Sequence, residues 1–293
     1  MNAKNQILLF SFLIGFLLLA TTLHAQLCWK VSGNDLTKPS YLFGTHHLIE
    51  KDSIAGFDKY LKLIDEVDAV IGELDMSNMM SIQMKLMQGG VMKDVKMKDL
   101  MSADDYVLVD NELKQVLGAG LDKLGVLKPM MLSSMYTVMM YMKYFNLKKQ
   151  PEAIDNLFQK TARKQKKEVM ALESVEEQMD ILFNSIPLKR QAEILVEGVK
   201  TKDSVLMELS GFNKAYLDGD LQLLQDKYAV QSTMTEEESH LLLDKRNNNW
   251  IVQLKSLLPA KSCFVAVGCL HLTGETGLIN QLRKLGYKVE AVQ

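Results

Sequence analysis

Two segments of the chain place a histidine in the same setting. Tyr41 to Leu48 reads YLFGTHHL and Val265 to His271 reads VAVGCLH, so in each an apolar run ends in glycine and a histidine follows three positions later, at His47 and at His271. Glycine lets the chain leave a sheet sharply, and an imidazole just beyond it can point back over the strand end. The runs VDAVIGEL and EVMAL bring Glu73 and Glu173 to similar positions. Two neutral imidazoles and a carboxylate suit a divalent metal with positions left open for water, and this donor set accepts manganese, cobalt or zinc alike. Such an ion lowers the pKa of bound water to about 7 and polarises a carbonyl. The same residues also suit a metal-free reaction, in which a histidine is general base on water and the carboxylates orient it. His46 is open between a further ligand, an outer donor and a side chain facing the other way.

Those residues can meet only if the segments before them are neighbouring strands. Residues 40–44, 67–74, 168–172 and 262–268 are short and apolar, and 286–292 alternates as an edge strand does. Helical patterns lie between them. Ile54, Phe57, Leu61 and Ile64 form one stripe, as do Leu278, Ile279, Leu282 and Leu285 before a stop at Gly286. Thr235 to Glu238 fits a capping box opening a long helix through Trp250 toward Leu258. The reading is an α/β fold: a mixed sheet of roughly five or six strands with flanking helices. If the strands are parallel neighbours, His47, Glu73, Glu173 and His271 converge in the crevice outside their carboxyl ends.

The interval between Leu74 and Glu168 contains 14 of the 19 methionines, six of them following Pro129, a favoured first residue of a helix. It reads as a helical insertion or cap over about residues 76–165, its core filled by adaptable thioethers. A pliable surface gripping varied apolar peptides is the sharper reading.

Residues 1–25 read as a secretory signal peptide, with Lys4 before an apolar run from Ile7 to Ala20 that is too short to span a membrane. The expectation is an exported protein, periplasmic or secreted, whose remaining 26–293 form one domain without a lasting membrane span. A formal charge of −2 gives no reason to expect nucleic acid as a partner. Cys28, Cys263 and Cys269 have no CxxC spacing, and the last two, if on one strand, stand about 20 Å apart, too far for a disulfide. HExxH, GxSxG, P-loop and dinucleotide-binding glycine patterns are absent, which removes the common zinc-protease, serine-hydrolase and nucleotide readings. His240 is expected in solvent.

YLFGTHH, VIGELD, ALESVEEQ, DKRNNNW and VAVGCLHLTGETGLINQLRKLGYKVEAV together resemble the successive motifs of the TraB/GumN family, which includes the Tiki proteases. The resemblance runs from about Cys28 to Val292. It implies a metal-dependent, peptidase-like hydrolase acting on a peptide or secreted protein, with a distant similarity to erythromycin esterase. Position by position it assigns His47, Glu73 and His271 as metal ligands, adds the Arg246–Asn247 pair, and matches Glu173 and Gln178 to the family's LE…Q segment; whether His46 adds a ligand is left open. Arg246 would then clamp a carboxylate or steady an oxyanion. One departure stands out: many relatives carry isoleucine or valine where this chain has His46. A non-catalytic protein that sequesters a peptide or other ligand is the remaining alternative.

Overall fold

The computed structural model describes residues 27–231 and 234–292; the expected signal segment lies outside them. Among the described residues six strands form one mixed sheet: β1 (Cys28–Ser32), β2 (Ser40–Thr45), β3 (Ala69–Gly72), β4 (Glu168–Ala171), β5 (Cys263–Gly268) and β6 (Lys288–Ala291), in the order β4-β3-β5-β2-β1-β6. β4, β3, β5 and β2 are parallel, with Gly72 opposite both Ala171 and Ala266 and Thr45 opposite Gly268. β1 is antiparallel to β2 and to β6. The alternating tail thus forms the expected edge strand. β1 has no clear signal in the sequence because CWKVS is short and lies next to the expected cleavage point.

β5 alternates between two cores. Phe264 and Ala266 pack on one face with Phe43, Phe57, Tyr60 and Phe158, while Cys263, Val265 and Val267 pack on the other with Trp250, Leu254, Leu258 and Ile279. A strand covered on both faces reads as a continuous apolar run rather than an alternation, which is why SCFVAVG is recognisable. The first face is covered by α1 (Phe57–Leu63) and by a later helix, Ile154–Lys164; the second is covered by two helices near the C-terminus, Lys245–Ala260 and Leu278–Lys284. The stripe opening at Ile54 becomes regular helix only at Phe57, because Gly56 stands before it at φ 64°, a left-handed conformation that suits glycine.

Between β3 and β4 lie α2 (Met79–Gly89), α3 (Ala103–Leu117), α4 (Pro129–Tyr144) and α5, the Ile154–Lys164 helix. Between β4 and β5 come α6 (Val175–Asn184), α7 (Leu188–Lys200), α8 (Lys202–Leu217), α9 (Leu221–Gln231) and α10, the Lys245–Ala260 helix, with α11 the Leu278–Lys284 helix. α3, α4 and α7 enclose a separate apolar core of Val109, Leu113, Leu132, Tyr136, Leu195 and Val199. The helical layer therefore draws on both long intervals, and α5 belongs to the sheet rather than to that layer. The polar residues interspersed through 175–231 hide its contribution from sequence pattern. Among the described residues no helix is long and apolar enough to cross a membrane.

Candidate functional site

The parallel strands end at one edge of the sheet, and the residues beyond them meet there. Arg246 is the hub. Its Nη2 donates to Glu73 Oε2 at 2.6 Å, its Nε donates to Glu173 Oε2 at 3.1 Å, Nη2 also donates to Glu173 Oε1, and Nη1 lies 3.0 Å from His271 Nε2. The planar fork grips Glu173 through two nitrogens, a geometry that lysine cannot copy. The guanidinium also lies over the Trp250 ring, 4.7 Å from its centroid, and that ring packs against His271 at 4.4 Å. Arg246, Glu173 and His271 are buried, so every one of these contacts counts.

α10 can present Arg246 and Asn247 inward because of how it starts. The Thr235–Glu238 capping box forms as expected, and residues His240–Asp244 then make a π-turn directly before Lys245. A π-turn adds a residue to the helical repeat and rotates the rest of the helix about its axis. Asn247 Nδ2 donates to the carbonyls of His271 and Thr276, which leaves its Oδ1 facing His271 Nδ1 at 2.8 Å. An acceptor there means that Nδ1 carries the proton and Nε2 receives from Arg246, which assigns the neutral imidazole. Burial pushes His271 down to about 4 against the pull of Glu73.

Glu73 Oε1 accepts from the Gly268 backbone N–H at 2.8 Å, and Oε2 accepts from Gln178 at 3.3 Å as well as from Arg246. Burial alone would push its carboxyl up, yet His271, Arg246, His47 and the Gly268 N–H together bring it down to about 2. Gln178 also donates to Glu173 at 2.9 Å from α6, whose start is fixed by a Ser174–Glu177 capping box. At Glu173 burial pushes the carboxyl up while Arg246 opposes it.

His46 and His47 serve different surroundings. His46 is half-buried among the rings of Tyr141, Phe212 and Tyr216, at centroid distances of 6.1, 6.0 and 5.2 Å, and burial holds it down at about 3. His47 is exposed at the rim, within electrostatic reach of Glu73, His271 and Asp155. Tyr216 supports both, since its hydroxyl donates to the Gly44 carbonyl at 2.9 Å and fixes the turn off β2.

Asp155 is invisible in the sequence, where it reads as an ordinary acid in the first turn of a helix. One turn on, Gln159 donates to the Leu74 carbonyl at 2.7 Å and accepts from the Met76 N–H at 2.9 Å. That same helix face therefore carries Asp155 toward the end of β3. Its Oδ1 is buried without a hydrogen-bond partner, and burial pushes its carboxyl up, opposed by His47 and reinforced by Glu73. Two neighbouring carboxyls are thus driven in opposite directions, the pattern that separates an acid from a base.

The donor set does not suit a divalent cation as it stands. Both Glu73 and His271, two of the expected ligands, are hydrogen-bonded to one permanently charged guanidinium. Among the described residues no group of three or more His, Cys, Asp or Glu side chains is placed to hold a metal ion. Arg246 is likewise not a free clamp: four of its N–H contacts already go to Glu73, Glu173 and His271. Cys28, Cys263 and Cys269 are free and buried, and His240 is exposed beside Asp244.

The profile of the TraB/PrgY/gumN family matches residues 27–291. The chain belongs to this family. The match covers all six strands and every residue of the site, so the strand-end cluster lies within the family's own domain. No curated protein and no solved structure matches the chain significantly.

Proposed function

We propose that this TraB/PrgY/gumN protein is an exported hydrolase that cleaves an acyl bond, peptide or ester, with His47 as the base that activates water. The observation that carries this reading is an exposed imidazole at the sheet edge, His47, within electrostatic reach of a carboxylate held low, Glu73. An ionised carboxylate beside a histidine stabilises the imidazolium that forms when water is deprotonated. We assign the leaving-group proton to Asp155, the neighbouring carboxyl that burial pushes up. Arg246 acts as a positioning residue: it holds Glu73, Glu173 and His271 in fixed relation, and its contacts support orientation rather than substrate capture. The apolar N-terminal run of the sequence supports action outside the cytoplasm.

The test is turnover of a capped-peptide library and a panel of alkyl esters, with and without a chelator. The reading expects chelator-resistant turnover that His47→Ala and Glu73→Gln each reduce by about 100-fold or more, in the range of general-base catalysis. Activity abolished by chelator and restored by manganese, cobalt or zinc would instead establish the metal-dependent reaction. Full ligand affinity without turnover in any condition would leave the sequestering role.

A further inference from the structure

The helical layer contains a cavity of about 530 Å³ between α4, α7, α8 and α9, walled by Met130, Met140, Ile194, Leu206, Leu209 and Phe212. That volume is typical of small-molecule sites. Two observations connect it with a ligand. The first is Gly198, which lines the cavity from within α7, with nothing within 4 Å of where a Cβ would stand and without a positive φ. Glycine is disfavoured inside a helix, and here neither close packing nor backbone conformation requires it; Gly89 and Gly90 differ, since Met179 and Met131 fill the space beside them. The absent side chain keeps the cavity open. The second is Phe212, which is both a wall of the cavity and a ring neighbour of His46, directly before His47.

We infer that this cavity receives an uncharged apolar group of the substrate next to the bond cleaved at the strand-end site, an inference that rests on the hydrolase reading above. The lining is aliphatic, thioether and aromatic apart from five hydroxyl residues, Ser133, Ser134, Tyr136, Thr137 and Tyr228, and Lys202, and the ammonium of Lys202 is paired with Glu112 at 2.5 Å, so the cavity offers no free charge to a carboxylate. Methionine walls adapt to varied shapes. Aliphatic side chains of a peptide and medium-length acyl chains share the required chemistry.

The experiment measures fluorescence titration with the neutral probe N-phenyl-1-naphthylamine on the wild type, His47→Ala, Gly198→Leu and Leu206→Trp. Wild type and His47→Ala should bind equally, while Gly198→Leu weakens binding at least tenfold and raises its unfolding midpoint by about 2 °C, since leucine is the better helix former. Leu206→Trp, which fills the cavity from another wall, should weaken binding to a similar degree. Displacement of the probe by capped leucyl peptides would identify a peptide side chain as the occupant, and displacement by octanoyl esters an acyl chain; displacement by neither overturns the inference. Undiminished binding in both filled variants also overturns it. Probe binding is read without turnover, so intact binding sensitive to Gly198→Leu in an inactive protein would remove only the hydrolase reading. Turnover whose KM for apolar substrates is unchanged in Gly198→Leu would remove only the cavity's role.

Discussion

At the carboxyl edge of the sheet, Arg246 is hydrogen-bonded to three side chains and Glu73 accepts from three donors. In the helical layer, Gly198 faces open space and the walls are mostly thioether, aliphatic and aromatic side chains. One region is fixed by directional contacts and the other by non-directional burial. Polar groups buried together tolerate one arrangement, because any unpaired member is costly. An apolar layer tolerates many side-chain arrangements provided that volume is conserved. The two regions divide the labour accordingly: reacting groups sit where geometry is locked, and the apolar contacts sit where shape can vary.

The largest effect should come from breaking the locked region at its hub. Arg246→Met leaves Glu73 and Glu173 buried without their cation, which should cost about 3–5 kcal/mol of unfolding free energy in urea titrations. Combining it with Glu73→Gln and Glu173→Gln should recover part of that loss, because the uncompensated charges are gone. A triple variant no more stable than Arg246→Met would show that the contacts matter through shape rather than charge.

The helical layer should respond to voids and ignore isosteric change. Leu132 is fully buried in its core, so Leu132→Ala should cost about 2–5 kcal/mol, whereas Met131→Leu should cost less than about 1.5 kcal/mol. Glu73→Gln is as nearly isosteric as Met131→Leu, yet it removes the charge that Arg246 and His271 face. Comparable losses of stability in the two would contradict the contrast.

This contrast also governs how much the sequence discloses. Parallel strands buried on both faces are continuous apolar runs, so β2, β3 and β5 can be read directly, and with them the strand-end places of Glu73, Glu173 and His271, which Arg246 joins. Arg246 and Asn247 are readable only through family resemblance, since in composition they sit in a charged helix and the π-turn that aims them has no pattern of its own. Asp155 reads as an ordinary helix-start acid, and its place beside Glu73 depends on α5 docking through Gln159. The expected metal set could not reveal that Arg246, 173 residues from Glu73, lies between its members. Residues 175–231 are hidden because a layer built from several helices needs only a partial apolar stripe from each.

A smaller effect should come from Asn247→Ala, which removes the acceptor facing His271 Nδ1. A buried donor without a partner costs about 1–3 kcal/mol. The sharper readout is the nitrogen NMR signature of His271. The wild type should show the Nδ1–H tautomer, and the variant a mixture with the ring less firmly oriented. An unchanged tautomer would mean that Arg246 alone sets the imidazole, and the locked region would then have fewer determinants than its hydrogen bonds indicate.

The smallest effect lies at the other end of β3. Asp68 also titrates at about 2, held there by Lys38 and by the Ser262 backbone and hydroxyl, but its side chain is 45% exposed, unlike that of Glu73. Its folded value is below the ordinary 3.8, so its contribution to stability is present above pH 3.8 and is lost as pH falls through 2. Asp68→Asn should therefore be less stable than the wild type at neutral pH and converge with it near pH 2. Solvent screening limits the difference to below about 1 kcal/mol, and 1 M salt should remove most of the part due to Lys38. The loss from Arg246→Met, between buried groups, should persist in the same salt. Equal salt sensitivity of the two would mean that water reaches the strand-end cluster as freely as it reaches Asp68.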